Sequence, residues 1–168
     1  IDVTPEGPML TAAEKASIRR SWELVKPITE TVADLFYRRL FEIAPRYRSL
    51  FKEDMAPQRR KLIAMLAFIV KSLEWREEGW QEAVAVEDDL FLVVLALGRR
   101  HVELYGVPDE AYGDVGSALL WTFDYGLGEA FTSDVRHAWT KAYDLISRMM
   151  QMGRCAAGEG SELRWAER

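Results

Sequence analysis

Two histidines, His101 and His137, and a single cysteine, Cys155, are all the sequence offers as metal-ligating or nucleophilic groups beyond its carboxylates and hydroxyls. His101 falls on an apolar stripe with Leu90, Val94, Leu97 and Leu104, a costly place for an imidazole without a partner. Two assignments satisfy it there: a core histidine bonded to a main-chain carbonyl, or a ligand. His137 stands beside the inward line of its segment, next to Arg136 and close to Asp134, and reads as a solvated surface residue. No histidine or cysteine lies three or four positions from His101, so a zinc site lacks the three or four ligands it needs. A Ser–His–Asp arrangement is no better supported, with neither an elbow motif nor an orienting acid.

The elements that must position His101 are helical. Thr11 and Glu14 form a capping box that starts a helix running to about Val25. Pro27 suits the first turn of a second helix, where its missing amide would be unpaired anyway. That helix, to about Ala44, carries Val32, Leu35, Phe36, Leu40 and Ile43, and a second line through Ala33, Tyr37, Phe41 and Ala44, so it is expected between neighbours. Pro45 opens a short turn ending near Phe51, and Pro57 starts a long helix to about Leu73 with Leu62, Leu66 and Ile69 inward.

The stretch EWREEGWQE (74–82) reads as a connection, and 74–86 as a long surface loop. Asp88 and Asp89 favour the start of the His101 helix, which Gly106 can stop. Another helix runs from Pro108–Asp109–Glu110 to Gly126 or Gly128 with Val115, Leu119, Thr122 and Phe123 inward, and Thr132 or Ser133 caps the last. The expected organisation is a flexible lead over 1–10, one all-α domain over 11–152 and a frayed tail over 153–168.

Composition narrows the function classes. A length of 168 residues supports one domain with one core. A net charge of −5, with the cations spread thinly, argues against nucleic acid and anionic membrane surfaces. The longest apolar runs, 62–70 and 90–97, are too short to span a bilayer. No basic stretch followed by an apolar run opens the chain, and one cysteine permits no internal disulfide, so the expected location is cytoplasmic. Scattered tryptophans such as Trp75, Trp80 and Trp165 do not fix an oligomeric state.

One cofactor asks for a single imidazole: in haem the porphyrin supplies four ligands and the protein one. The segments LTAAEKASIRRSW (10–22), LFYRRLFEIAPRYRSLF (35–51), QRRKL (58–62), LGRRHVELYGV (97–107), YGDVG (112–116) and AWTKAY (138–143) together resemble the globin family. They look most like bacterial single-domain haemoglobins and the globin half of flavohaemoglobins. The resemblance implies an all-α globin fold, about six to eight helices around a haem pocket, with haem b as cofactor. It makes His101 the proximal iron ligand, its other ring nitrogen donating to a carbonyl such as that of Leu97.

Further positions carry over from the same resemblance. Phe51 would pack flat on the porphyrin, while Leu62, Leu97, Val107, Tyr112 and Val115 would line the pocket and Lys61 and Arg100 would meet the propionates. Tyr37 and Gln58 would face the gas, with Leu62 crowding it. A gas that takes on partial negative charge is stabilised by such donors, about 1.5–3 kcal/mol for a bond to a charged acceptor. That implies tight binding of oxygen and weaker gains for carbon monoxide, with nitric oxide as a further ligand.

Without a distal histidine, a resting bis-histidine haem of the neuroglobin type is not expected. In flavohaemoglobins a glutamate of the last helix stands beside the proximal histidine and a tyrosine like Tyr112; here Arg154 falls near that place, which weakens the case for peroxidase-like chemistry. Nitric oxide dioxygenation would need a separate reductase partner, and a gas or redox sensor would need a separate output partner.

Overall fold

The computed structural model describes residues 10–74 and 110–165. Every regular element among them is helical, and the order is α1 (Ala12–Val25), α2 (Thr29–Ile43), α3 (Ala56–Glu74), α4 (Ala111–Leu127) and α5 (Ser133–Trp165). Short 3-10 turns at Lys26–Ile28, Pro45–Leu50 and Gly128–Ala130 join them. The expected all-α class holds.

The boundaries follow from local chemistry. Thr11 accepts the Glu14 amide at 3.1 Å while Glu14 Oε1 accepts the Thr11 amide at 3.0 Å, the reciprocal box expected from the sequence. Pro27 falls inside the Lys26–Ile28 turn rather than opening α2, because it has no amide to extend the preceding ladder and the chain tightens there instead. At the end of α2, Ala44 is pushed out of the helical region (φ −143°, ψ 74°) by the Pro45 that follows it. Gly128, at φ 56°, supplies the left-handed stop after α4. Thr132, not Ser133, caps α5: its hydroxyl accepts the Val135 amide at 3.3 Å.

α2 packs chiefly against α4 and also against α3, while α1 packs against α5. Its two apolar lines explain the sandwiching. Val32, Phe36 and Leu40 are buried on one side, and Ala33, Tyr37 and Ala44 on the other. The core continues through Ile18, Trp22 and Val25 of α1, Leu66 and Val70 of α3, Leu119 and Phe123 of α4, and Ala138, Trp139 and Ala142 of α5.

One expectation is corrected. The chain past Gly153 is not a frayed tail at the backbone level; α5 stays helical to Trp165. Ala156, Ala157, Glu159, Glu162, Leu163 and Arg164 are good helix formers and outweigh the local cost of Gly153, Gly158 and Gly160. The expected connection over 75–86, the helix from Asp88 to Gly106 and the start at Pro108 lie outside the described residues. Among the described residues, no helix is long and apolar enough to cross a membrane.

Candidate functional site

α2 places Tyr37 and Phe41 one turn apart on the same line, and the Pro45–Leu50 turn delivers Phe51 against both. The Tyr37 and Phe51 rings meet edge to face with centroids 5.6 Å apart, as do Phe41 and Phe51 at 5.5 Å. Phe36 closes the cluster edge-on to Tyr37 at 4.9 Å. These are favourable aromatic geometries, and they hold the phenol from three sides.

Gln58 comes from the first turn of α3 and stands close enough to Tyr37 to act on its hydroxyl. Tyr37 is only 6 % exposed, and burial pushes its hydroxyl up to about 12 from the ordinary 10.0, while Gln58 pulls the other way. The tyrosine therefore keeps its proton at neutral pH, and its O–H remains a donor.

Leu62 and Val115 are half-buried and packed, like Phe51, against the hydrophobic core. Lys61 is exposed on α3. Tyr112 is buried in the first turn of α4. His101, Leu97, Arg100 and Val107 lie outside the described residues.

The first turn of α4 is tied down from two directions. Tyr47, itself buried, donates to Asp114 Oδ2 at 2.7 Å, and Arg46 donates to both Tyr47 Oη at 2.9 Å and Asp114 Oδ2 at 3.2 Å. Burial, then the bond and charge of Asp114, push the Tyr47 hydroxyl above its ordinary value despite Arg46. From α5, the Tyr143 hydroxyl donates to the main-chain carbonyl of Tyr112. Gly116 makes this approach possible: a Cβ there would come within 2.6 Å of the Tyr143 ring. Burial raises the Tyr143 hydroxyl strongly, so it stays a donor at any physiological pH.

None of Phe41, Arg46, Tyr47 and Tyr143 is singled out as a site residue by the sequence alone. Phe41 had a signal, its position four residues after Tyr37 on one stripe. Tyr143 had half of one, in the glycine that its ring requires. The expectation for Arg154 finds its residue on the helical backbone of α5.

Haem fits the described half of this pocket. A buried phenol stands edge-on to Phe51 with an amide acting on its hydroxyl, so a polar group adjoins an aromatic surface suited to a flat ring.

A globin family model matches residues 34–150. The anaerobic nitrite reductase AHB2 of Arabidopsis thaliana is 33% identical over 147 residues, which span 82% of this chain and 89% of that protein. Neuroglobin of Danio rerio is 29% identical over 157 residues, spanning 89% of this chain and 96% of that protein. An anaerobic nitrite reductase of Casuarina glauca, HBII, is 30% identical over 153 residues, 85% of this chain and 91% of that protein. Matched through most of its length by the family model and by relatives from plants and fish, the chain belongs to the globin family, which implies haem as cofactor and a diatomic gas as ligand.

Proposed function

We propose that this globin binds oxygen tightly, and nitric oxide and carbon monoxide as well, through haem b held by His101 and a distal grip made by Tyr37 and Gln58. The observation that carries the reading is the buried Tyr37 hydroxyl beside Gln58, kept protonated by its surroundings. Haem supplies the iron that takes the gas and can pass it electrons. Gln58 donates to the phenolic oxygen, which orients the Tyr37 O–H, and that O–H then donates to the partly negative gas. Leu62 limits the space on the same side, Phe51 and Val115 keep it dry, and Tyr112, Leu97 and Val107 complete the lining. Lys61 and Arg100 serve the propionates. The domain bounds 11–152, a cytoplasmic location and a likeness to bacterial single-domain haemoglobins belong to this proposal. That likeness rests on the motifs, since the relatives named above are plant and fish proteins.

A second reading is enzymatic. Two of the relatives are named anaerobic nitrite reductases, and nitrite reduction to nitric oxide consumes one electron and two protons and releases water. Oxidation of nitric oxide to nitrate by bound oxygen, with a separate reductase restoring the iron, uses the same residues. Gas or redox sensing through a separate partner uses them too.

The test is oxygen release timed by stopped flow after reconstitution with haem, in wild type and Tyr37→Phe. Loss of a donor to a charged acceptor speeds release by about tenfold or more. Unchanged release removes Tyr37 from the site and favours sensing. Failure of the wild type to take up haem removes the reading altogether.

A further inference from the structure

Nothing regular orders the chain between Leu50 and Ala56, yet this stretch sets both Phe51 and the approach to Gln58. Three consecutive main-chain carbonyls within it share one donor. Arg48 Nη1 donates to the carbonyls of Phe51 at 3.3 Å and Lys52 at 3.1 Å, and Nη2 donates to that of Glu53 at 3.3 Å. The Phe51 amide returns a bond to the Arg48 carbonyl at 3.2 Å. The same guanidinium lies over the Phe41 ring, 5.5 Å from its centroid. One side chain thus grips three consecutive peptide units and one wall of the aromatic cluster. At the far end of the stretch Asp54 accepts the Ala56 amide at 3.0 Å, which starts α3 two residues before Gln58.

From this arrangement we infer that Arg48 is a positioning residue for the distal grip. It fixes Phe51 against Tyr37 and sets the register at which Gln58 reaches the phenol. The role needs the planar fork: an ammonium cannot serve three carbonyls in a row while lying flat on a ring. The inference rests on the distal reading given above. A plain structural strap would make a different prediction, lowering the melting temperature while leaving Tyr37 and Gln58 in place.

The experiment compares haem-loaded wild type, Arg48→Lys, Arg48→Gln and Tyr37→Phe by the infrared stretch of bound carbon monoxide, which responds to a nearby hydrogen-bond donor. Oxygen release and amide exchange over residues 51–56 are measured alongside. Both Arg48 variants are expected to move or split the carbon monoxide band toward the Tyr37→Phe position. They also release oxygen about threefold faster or more, and adding Arg48→Gln to Tyr37→Phe brings little further change because the two act through one contact. Faster exchange over 51–56 in both variants accompanies this. An unchanged band with only a lower melting temperature overturns the inference, as does full retention of wild-type behaviour by Arg48→Lys. Effects that persist undiminished in the Tyr37→Phe background overturn it too. If Tyr37→Phe itself leaves the band and the release rate unchanged, the distal reading falls and takes this inference with it.

Discussion

The seam between α1 and α5 and the wall around Tyr37 both bury polar side chains, but they satisfy them differently. In the seam the Trp139 indole N–H donates to Ser21 Oγ at 2.8 Å, and Ser21 in turn donates to the carbonyls of Ser17 and Ile18 at 2.9 and 2.8 Å. All of these partners are buried in the same packed layer, so the network is closed. At the wall, the partner of the Tyr37 phenol is an amide that is itself only half-buried, standing at a helix start beside half-buried Phe51 and Leu62. A closed network is what stability alone requires. A buried donor paired toward an open apolar edge is what a ligand requires. The two regions should therefore come apart under mutation, one changing stability and the other changing gas binding.

Trp139→Ala breaks the seam most severely. The ring is 2 % exposed and packs on Phe123 with centroids 4.6 Å apart, so the truncation leaves a large cavity and costs about 3–5 kcal/mol. Chemical denaturation of the haem-loaded protein measures the loss, and oxygen release from the fraction still folded stays at the wild-type rate. A large change in that rate would join the two regions into one unit.

Alkaline pH tests the wall by its charge. Tyr37 is held up to about 12 chiefly by burial, so above the ordinary 10.0 the unfolded chain loses this proton while the folded one keeps it. Stability contributed by the protonated phenol is complete below pH 10 and is lost as pH rises toward 12, about 2–3 kcal/mol across that window. Tyr143, also raised by burial, acts in the same direction. Tyr37→Phe should shed one proton's worth of slope from the stability curve and leave the Tyr143 share. An unaltered slope would mean that the hydroxyl is not buried.

Ser21→Ala is the finer probe of the seam. It removes the acceptor of a buried indole N–H at nearly constant volume, a loss of about 1–3 kcal/mol. Equilibrium unfolding checks it, and Ser21→Ala should cost less in a Trp139→Phe background, where no indole donor is left to orphan. An equal cost in both backgrounds would show that packing, not the hydrogen bond, carries the contact.

How far all this was legible in the sequence follows the same division. Among the described residues the helices and most of their ends were readable because Thr11, Pro45, Pro57 and Gly128 act on their own neighbours, where spacing reports directly on physics. The wedged position of α2 was readable from its two stripes. Tyr37, Phe51 and Gln58 came from the resemblance, and Phe41 follows from the stripe once Tyr37 is placed. The Arg48 grip was not readable, since its acceptors are main-chain carbonyls that no residue type announces. Nor was the Trp139–Ser21 bond, because the partners lie 118 positions apart and only packing brings them together. The helical backbone past Gly153 was misread because glycine content was weighed above the alanines and glutamates between.

The smallest effect in the series bears on where the seam begins. Thr11 does two things: it caps α1, and its hydroxyl and amide both hydrogen-bond with Glu14, whose Oε1 also accepts Lys141 of α5 at 2.9 Å. Burial raises the Glu14 carboxyl, but the bonds from Lys141 and Thr11 outweigh it, and the net position is below the ordinary 4.5. A depressed carboxyl contributes stability above its unfolded value and loses it as pH falls through the folded one. Thr11→Ala removes the cap, about 1 kcal/mol by denaturation, and the Thr11 hydroxyl's share in holding the carboxyl down, while the Thr11 amide keeps its bond to Oε1. The Glu14 titration followed by NMR should then move up toward the ordinary value, and the loss of stability in acid should become shallower. If the carboxyl does not move, Lys141 and the Thr11 amide set its charge, and the Thr11 hydroxyl is a cap independent of the seam. If it moves, the start of α1 is part of the closed network, and the contrast with the open wall at Tyr37 extends to the first turn of the fold.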